Sequence, residues 1–297
     1  MDFIQKILEE QYETEIAKKI MEGYTKQRLV TFRVNTLKSD VETIENKLSE
    51  SKIEYEKIQW SNEAFIIKNV KEDVIRELDI YKNGEIYLQS LSSMLPPIIL
   101  KPKEGADILD MAAAPGGKTT QMAALSNNKA HITACEKNKI RAERLKYNVD
   151  KQGASCVFIM TADARFIDDF FLFDQILLDA PCSGSGTLNT NDKDLEKKFT
   201  KKLIERSVSS QLALLKKALK ILKPGQEMVY STCSVLACEN EDVVSNVVKS
   251  EKAEIVPINF EGMESLPVLP TKLDGTLCIC PTELYEGFFV AKIRKLK

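Results

Sequence analysis

Two hydrophobic periods run through this chain. Residues 1–24 place Phe3, Ile4, Ile7, Leu8, Ile16 and Ile20 on one side of a helical wheel, which predicts an amphipathic helix. Residues 29–35, Leu-Val-Thr-Phe-Arg-Val-Asn, alternate as a half-buried strand does. Ser39 and Glu42 have the spacing of a capping box, and Val41, Ile44 and Leu48 follow at helical intervals. Residues 64–67 predict another strand. Together these elements predict a small α+β unit over residues 1–80.

The pattern then changes. Pro96-Pro97 and Pro102 punctuate the chain. Beyond them, short apolar runs of strand type at 107–111, 130–135, 156–161, 175–179 and 227–231 alternate with helical stretches. Residues 138–151 form one such stretch. Another, 201–222, carries Val208, Leu212, Leu215, Leu219 and Leu222 on one stripe and closes at Pro224-Gly225. Strands alternating with helices predict an α/β fold over 81–297, a mostly parallel sheet with helices on both faces. In such a sheet ligands sit at the carboxyl ends of the strands, so the loops there are the place to look for chemistry.

Composition narrows the classes. The 297 residues carry 42 Lys+Arg against 44 Asp+Glu, a formal charge of −2. No run of 18 apolar residues exists, so no membrane span is expected. The N-terminus lacks the basic and apolar regions of a secretory signal. Seven scattered cysteines do not form a disulfide framework, which points to a reducing cytoplasm. His131 is the only histidine, which excludes a multi-histidine metal site. The near-neutral balance does not advertise a nucleic-acid binder, but Lys137, Lys139, Arg141, Arg144 and Lys146 cluster locally, as do Lys292, Arg294, Lys295 and Lys297. Each cluster also fits a solvated surface.

The loop after the first strand of the sheet reads Asp110-Met111-Ala112-Ala113-Ala114-Pro115-Gly116-Gly117-Lys118-Thr119. Two glycines at a helix start allow close approach of a ligand to backbone N–H groups. A P-loop departs from its template at Ala112, where a Cβ enters the phosphate cradle, and at Pro115, which lacks an N–H. A dinucleotide turn would need G-x-G-x-x-G, which is absent. A third reading is the glycine-rich turn of an S-adenosyl-L-methionine site. Glu136 ends the second strand, 20 residues after Gly116, where an acid meets a ribose hydroxyl pair. Asp163, just past the third strand, is placed to accept from an adenine amine.

Two further loops each carry a cysteine. One is Asp179-Ala180-Pro181-Cys182-Ser183-Gly184-Ser185-Gly186, and the other Ser231-Thr232-Cys233-Ser234. Both follow predicted strands, so both thiols converge over one pocket beside an acid. Carbon-5 of cytosine is a poor nucleophile. A thiolate that adds to carbon-6 converts the ring to an enamine, whose carbon-5 can attack a sulfonium methyl. Electrons gather on N3 in that adduct, and Asp179 is placed to meet them.

At this point the residues resemble a known family. The three loops above, with Arg33-Val34-Asn35-Thr36-Leu37-Lys38, Gly84-Glu85-Ile86-Tyr87-Leu88-Gln89, Ala162-Asp163-Ala164-Arg165, Glu239-Asn240-Glu241 and Glu286-Gly287-Phe288-Phe289-Val290-Ala291-Lys292, are similar to the RsmB/NOP/NSUN family of RNA (cytosine-5) methyltransferases. The resemblance covers residues 29–297 in order. It implies a Rossmann-like class I methyltransferase with an antiparallel terminal strand, preceded by an RRM-like RNA-binding unit over 1–80. It also implies a cofactor site at Ala112, Ala113, Ala114, Pro115, Gly116, Gly117, Lys118, Glu136, Asp163 and Asp179. Cys233 would be the nucleophile, Cys182 would assist product release, and Lys118 would touch the cytosine. The substrate would be structured RNA, ribosomal RNA first and transfer RNA next. A monomer without metal is expected.

The chain also departs from the family pattern. Leu188-Asn189-Thr190-Asn191-Asp192 stands where many members carry Arg and Pro, and Gly225-Gln226 replaces the usual Gly-Gly. No C-terminal PUA-type domain and no long N-terminal NusB-like domain is expected, so RNA selection would rest on the N-terminal unit, the catalytic face or a partner. Three other readings stay open: a DNA cytosine-5 methyltransferase with Cys182 as nucleophile, a non-catalytic RNA-binding assembly factor, and a P-loop nucleotide-binding protein. Cys278-Ile279-Cys280, Cys135, Cys156 and Cys238 read as packing. Trp60 and Phe170, Phe171 and Phe173 read as core or interface.

Overall fold

A computed structural model describes residues 2–192 and 194–297. The N-terminal amphipathic stretch is not one helix but two, α1 (Asp2–Gln11) and α2 (Thr14–Gly23). Glu13 between them has an extended backbone, φ −58° and ψ 149°, which ends the first helix. The break turns Tyr12 inward, and its hydroxyl donates to the Val235 carbonyl at 2.7 Å. Each helix buries its own stripe, Ile4 and Leu8 from α1, Ala17 and Ile20 from α2.

The first sheet uses β1 (Val30–Val34), β2 (Tyr55–Ile58), β3 (Ser61–Ile67) and β4 (Ile86–Leu88), with α3 (Val41–Glu50), α4 (Glu72–Glu77) and α5 (Asp79–Lys82) between them. Helix α3 starts one residue later than the Ser39 capping box requires. Asp40 is therefore its cap and accepts from the Thr43 N–H at 2.8 Å. The strand order is β2-β3-β1-β4 and all neighbours are antiparallel, the ferredoxin-like β-α-β-β-α-β arrangement. The sheet takes its edge strand β4 from beyond residue 80.

Helix α6 (Leu91–Leu100) contains Pro96 and Pro97 rather than stopping before them. Pro97 leaves the Ser93 carbonyl without its helical donor. Gln89 Nε2 donates to that carbonyl instead, at 3.0 Å. The large sheet follows with β5 (Asp107–Asp110), α7 (Gly117–Leu125), β6 (His131–Cys135), α8 (Lys139–Gln152), β7 (Val157–Met160) and β8 (Phe173–Asp179). Then come α9 (Leu195–Lys198), α10 (Lys201–Ile221), β9 (Leu222–Thr232), α11 (Glu241–Ser250), β10 (Ala253–Val256), β11 (Val268–Leu269), β12 (Leu277–Ile279) and β13 (Phe288–Lys295). Leu222, predicted as the last residue of a helical stripe, begins β9 instead. Pro224-Gly225 lies within that strand, beside a register shift against β8.

The order β7-β6-β5-β8-β9-β13 is parallel up to β9, and β13 runs antiparallel. Along β8 and β9 the faces alternate. Ile176, Leu178 and Tyr230 pack with Leu8, Ile20, Leu215 and Val244 on one side. Leu177 and Val229 pack with Leu95, Met122 and Leu145 on the other. Helices thus cover both faces, and the connection reverses direction between β5 and β8, the switch point where α/β folds open a crevice. Phe173 and Trp60 are buried, whereas Phe170 and Phe171 are exposed. Among the described residues, no helix is long and apolar enough to cross a membrane.

Candidate active site

Strand β5 ends on Asp110, whose carboxylate is buried and accepts from Thr119 Oγ1 at 2.7 Å. Burial pushes its pKa up to about 6, against the opposing pull of that hydrogen bond. The turn after it is held from several sides. The Ala113 N–H donates to the Cys135 carbonyl at 3.0 Å. The carbonyls of Ala114, Pro115 and Gly117 accept from Arg141 (2.7 Å), Asn148 (2.8 Å) and Arg33 (3.2 Å). Gly116 caps α7 at φ +110°, a left-handed conformation that suits a residue without Cβ.

A cleft of about 240 Å³ opens at the carboxyl ends of these strands. Its lining brings together Ala112, Ala114, Glu136, Asp163, Asp179, Cys182 and Cys233, which lie in five separate stretches of sequence. Arg141, Arg165, Ser210 and Leu214 also line it. Ala113, Pro115, Gly116, Gly117 and Lys118 are not among the lining residues and stand behind it. Glu136 accepts from the Asn138 N–H at 2.8 Å and faces Arg141 at 3.3 Å. Asp163 accepts from Arg165 Nε at 3.0 Å, and that bond holds its carboxyl below the usual range.

Lys118 reaches the site through Asp179. Its Nζ donates to Asp179 Oδ2 at 2.8 Å and to Ser93 Oγ at 2.7 Å. Ser231 Oγ donates to the other carboxylate oxygen at 2.7 Å. Burial works against the lysine charge, but the adjacent Asp179 outweighs it and the pKa is raised.

The two cysteine loops meet at their tips. Cys182 Sγ and Cys233 Sγ lie 2.9 Å apart in hydrogen-bond contact. The hydrogen bond with Cys233, together with burial, lifts the Cys182 thiol well above its usual pKa. The Gly186 N–H donates to the Cys233 carbonyl at 3.0 Å, and its own carbonyl accepts from Gly287 at 2.8 Å. A Cβ on Gly186 would stand 1.8 Å from the Gly287 oxygen, so only glycine allows this approach. All seven cysteines are free. Burial also raises Cys135 and Cys238, each to about 11. Among the described residues no cluster of potential metal ligands occurs.

Three buried polar residues of this region carried no assigned role in the sequence. Asp110 anchors the glycine-rich turn. Arg33, on β1, links the small unit to that turn through Gly117 and through Thr120 Oγ1 at 2.8 Å. Glu239 sits beneath the two cysteines, accepting from Ser183 and Ser234. Arg33 and Glu239 each lie in a motif visible in the sequence, but their partners are set by the fold.

Sheet order, antiparallel last strand and cleft position together define a Rossmann-like class I methyltransferase fold. The chain belongs to the family described as 16S rRNA methyltransferase RsmB/F, which residues 97–294 match. Residues 2–72 match the ferredoxin-like domain described for methyltransferases of the RsmF/B type. The chain is similar to ribosomal RNA small subunit methyltransferase F of Shewanella piezotolerans, with 35% identity over 274 residues covering 90% of this chain and 57% of that protein. It is also similar to the tRNA (cytosine(49)-C(5))-methyltransferase of Pyrococcus abyssi, with 36% identity over 275 residues covering 89% of this chain and 88% of that one. A solved structure of a methyltransferase homologue from Pyrococcus horikoshii superposes with TM-score 0.82 at 33% identity, covering 96% of this chain and 92% of its own. The chain thus spans little more than half the length of the small-subunit relative.

Proposed function

We propose that this chain is an RNA (cytosine-5) methyltransferase that uses S-adenosyl-L-methionine. The observation that carries the reading is the thiol pair, Cys182 and Cys233 at 2.9 Å, in the same cleft as Asp179, which is ion-paired with Lys118. The family description and the names of the relatives point to the same chemistry, with a cytosine of structured RNA as substrate, ribosomal RNA first and transfer RNA next.

The donor set of the cleft fits the cofactor. Glu136 offers a carboxylate to a ribose hydroxyl pair, and Asp163 offers one to an adenine amine. Met111, Ala112, Ala114 and Leu214 give the wall apolar surface. When bound, S-adenosylmethionine supplies an electrophilic methyl. The protein's own residues do the rest. Cys233 adds as a thiolate to carbon-6 of the base, which makes carbon-5 nucleophilic. Negative charge develops at N3, and Asp179 stabilises it by delivering a proton there. Lys118, ion-paired with Asp179, supplies that proton and a positive charge alongside. After methyl transfer carbon-5 loses its proton to solvent, the carbon-6–sulfur bond breaks and Cys233 leaves as a thiolate. Cys182, in contact with that sulfur as a thiol, donates a hydrogen bond to it and so suits release of the methylated product. The target base must first leave its stack, at a cost of a few kcal/mol that is least in loops. In this scheme residues 1–80, completed by β4, form the RNA-binding unit, and the large sheet is the catalytic domain.

Covalent trapping tests the reading. Cys182→Ala protein, S-adenosylmethionine and total cellular RNA are incubated together and run on a denaturing gel. A denaturant-stable RNA adduct, lost in Cys182→Ala/Cys233→Ala, is expected, and sequencing the attached RNA names the substrate. An adduct that forms in Cys233→Ala but not in Cys182→Ala would exchange the two cysteine roles and favour the DNA-type arrangement. No adduct with either variant, with cofactor binding intact on naked RNA and on ribosomal particles, would overturn it.

A further inference from the structure

Glu239 is fully buried in the short turn that precedes α11. Its carboxylate accepts from the Ser183 N–H at 2.7 Å, from Ser183 Oγ at 2.6 Å and from Ser234 Oγ at 2.6 Å. Gln211 Nε2 stands 3.5 Å away. Among the described residues, no lysine or arginine pairs with it. A buried carboxylate served only by neutral donors is costly to maintain, so its donors must be held in place by the surrounding chain.

Those donors are not scattered. Ser183 directly follows Cys182, and Ser234 directly follows Cys233. One carboxylate therefore bonds to both cysteine loops at the next residue along. Its own turn is fixed in return, because the Tyr230 hydroxyl donates to the Glu239 carbonyl at 2.7 Å. The neighbouring Asn240 grips both flanks of Cys233. It accepts from Thr232 Oγ1 at 2.5 Å and donates to the Ser234 carbonyl at 2.9 Å.

We propose that Glu239 is a positioning residue that sets the spacing of the Cys182 and Cys233 thiols by clamping their loops together through Ser183 and Ser234. The functional meaning of the clamp rests on the two-cysteine reading above, but the clamp itself is a statement about geometry. The negative charge of Glu239 also adds to the hydrogen bond and the burial that keep Cys182 in its thiol form.

The test uses a reagent that reads thiol spacing without RNA. Phenylarsine oxide binds two neighbouring thiols by exchanging its arsenic–oxygen bond for two arsenic–sulfur bonds, and the two thiol protons leave with the oxygen as water. Full-length wild-type protein is expected to capture it at Cys182 and Cys233, a capture lost in Cys182→Ser and in Cys233→Ser. Glu239→Ala and the double variant Ser183→Ala/Ser234→Ala should bind it at least about tenfold more weakly, as the two-point attachment loosens. Their S-adenosylhomocysteine affinity should stay close to wild type. Glu239→Gln should retain most of the capture, because the serine hydroxyls can rotate to accept from its amide. If Glu239→Ala does not fold, the double serine variant carries the test. Wild-type capture in that variant would overturn the clamp. Where methyl transfer is measurable, the double variant should lower kcat while the KM for RNA stays within about twofold. Intact capture in a protein with no methyl transfer would sink the proposed function and leave the clamp standing.

Discussion

The sulfurs of Cys182 and Cys233 lie 2.9 Å apart, although 51 positions separate the two residues in sequence. The hydrogen bond with Cys233 and burial both favour the thiol form of Cys182. Cys182 is held as the thiol, so the two groups suit different tasks. Cys233→Ala should abolish methyl transfer and leave S-adenosylhomocysteine affinity within about 1 kcal/mol, because the thiol makes no cofactor contact in this scheme. Transfer of labelled methyl groups and calorimetry on the same preparation check both halves. Ordinary turnover in that variant would move the nucleophile elsewhere.

The cofactor assignment stands on separate residues and is tested separately. Asp163 lines the cleft and is oriented by Arg165. Asp163→Ala should weaken S-adenosylhomocysteine binding by roughly 1–3 kcal/mol, the cost of leaving a polar ligand atom unpaired. Calorimetry at one pH and salt decides it. An unchanged affinity would remove Asp163 from the site.

The sheet and its cleft were largely legible because buried parallel strands read as continuous apolar runs. Ile176-Leu177-Leu178 is such a run, and Asp179 closes it where a ligand is expected. Two kinds of feature were not legible. Local breaks such as the one at Glu13 depend on where Tyr12 finds its partner, Val235, more than two hundred positions away. The same holds for Pro97, tolerated within α6 because Gln89 serves the orphaned carbonyl. Glu239 belongs to the second kind. Its motif is plain in the sequence, yet its meaning lies in donors drawn from two distant loops.

RNA binding should draw on the exposed cations of α8 and its approach. Lys137, Lys139, Arg144 and Lys146 are exposed, and among the described residues none of the four has a carboxylate partner. Arg141, by contrast, is tied to Glu136 and to the Ala114 carbonyl. Lys137 lines the cleft and the other three lie on the exposed face of α8, where unpaired cations are placed to neutralise phosphates. Arg144→Glu/Lys146→Glu should weaken RNA binding and flatten its salt dependence, each lost phosphate contact reducing the log–log slope by about 0.7–0.9. S-adenosylhomocysteine affinity should not change. Filter binding between low and moderate salt measures the slope, and an unaltered slope would place the RNA on another face.

Asp110 gives the fold a pH dependence of defined sign. Burial raises its pKa to about 6, whereas an aspartate in the unfolded chain titrates near 3.9. Between those values the folded state binds more protons than the unfolded one. This group's contribution to stability therefore falls as pH rises from about 4 to about 6, and is level above. Asp110→Asn keeps the shape and the acceptor for Thr119 but removes the titration. Denaturant unfolding of both proteins across this range should show the variant gaining on wild type as pH rises, by at most about 3 kcal/mol. Taking the difference cancels the carboxylates the two proteins share. A difference that stays flat from pH 4 to 7 would mean that Asp110 is ionised throughout and that the turn tolerates a buried charge. The hydrogen bond from Thr119 would then have to outweigh burial, and Thr119→Val would be expected to restore the missing pH dependence.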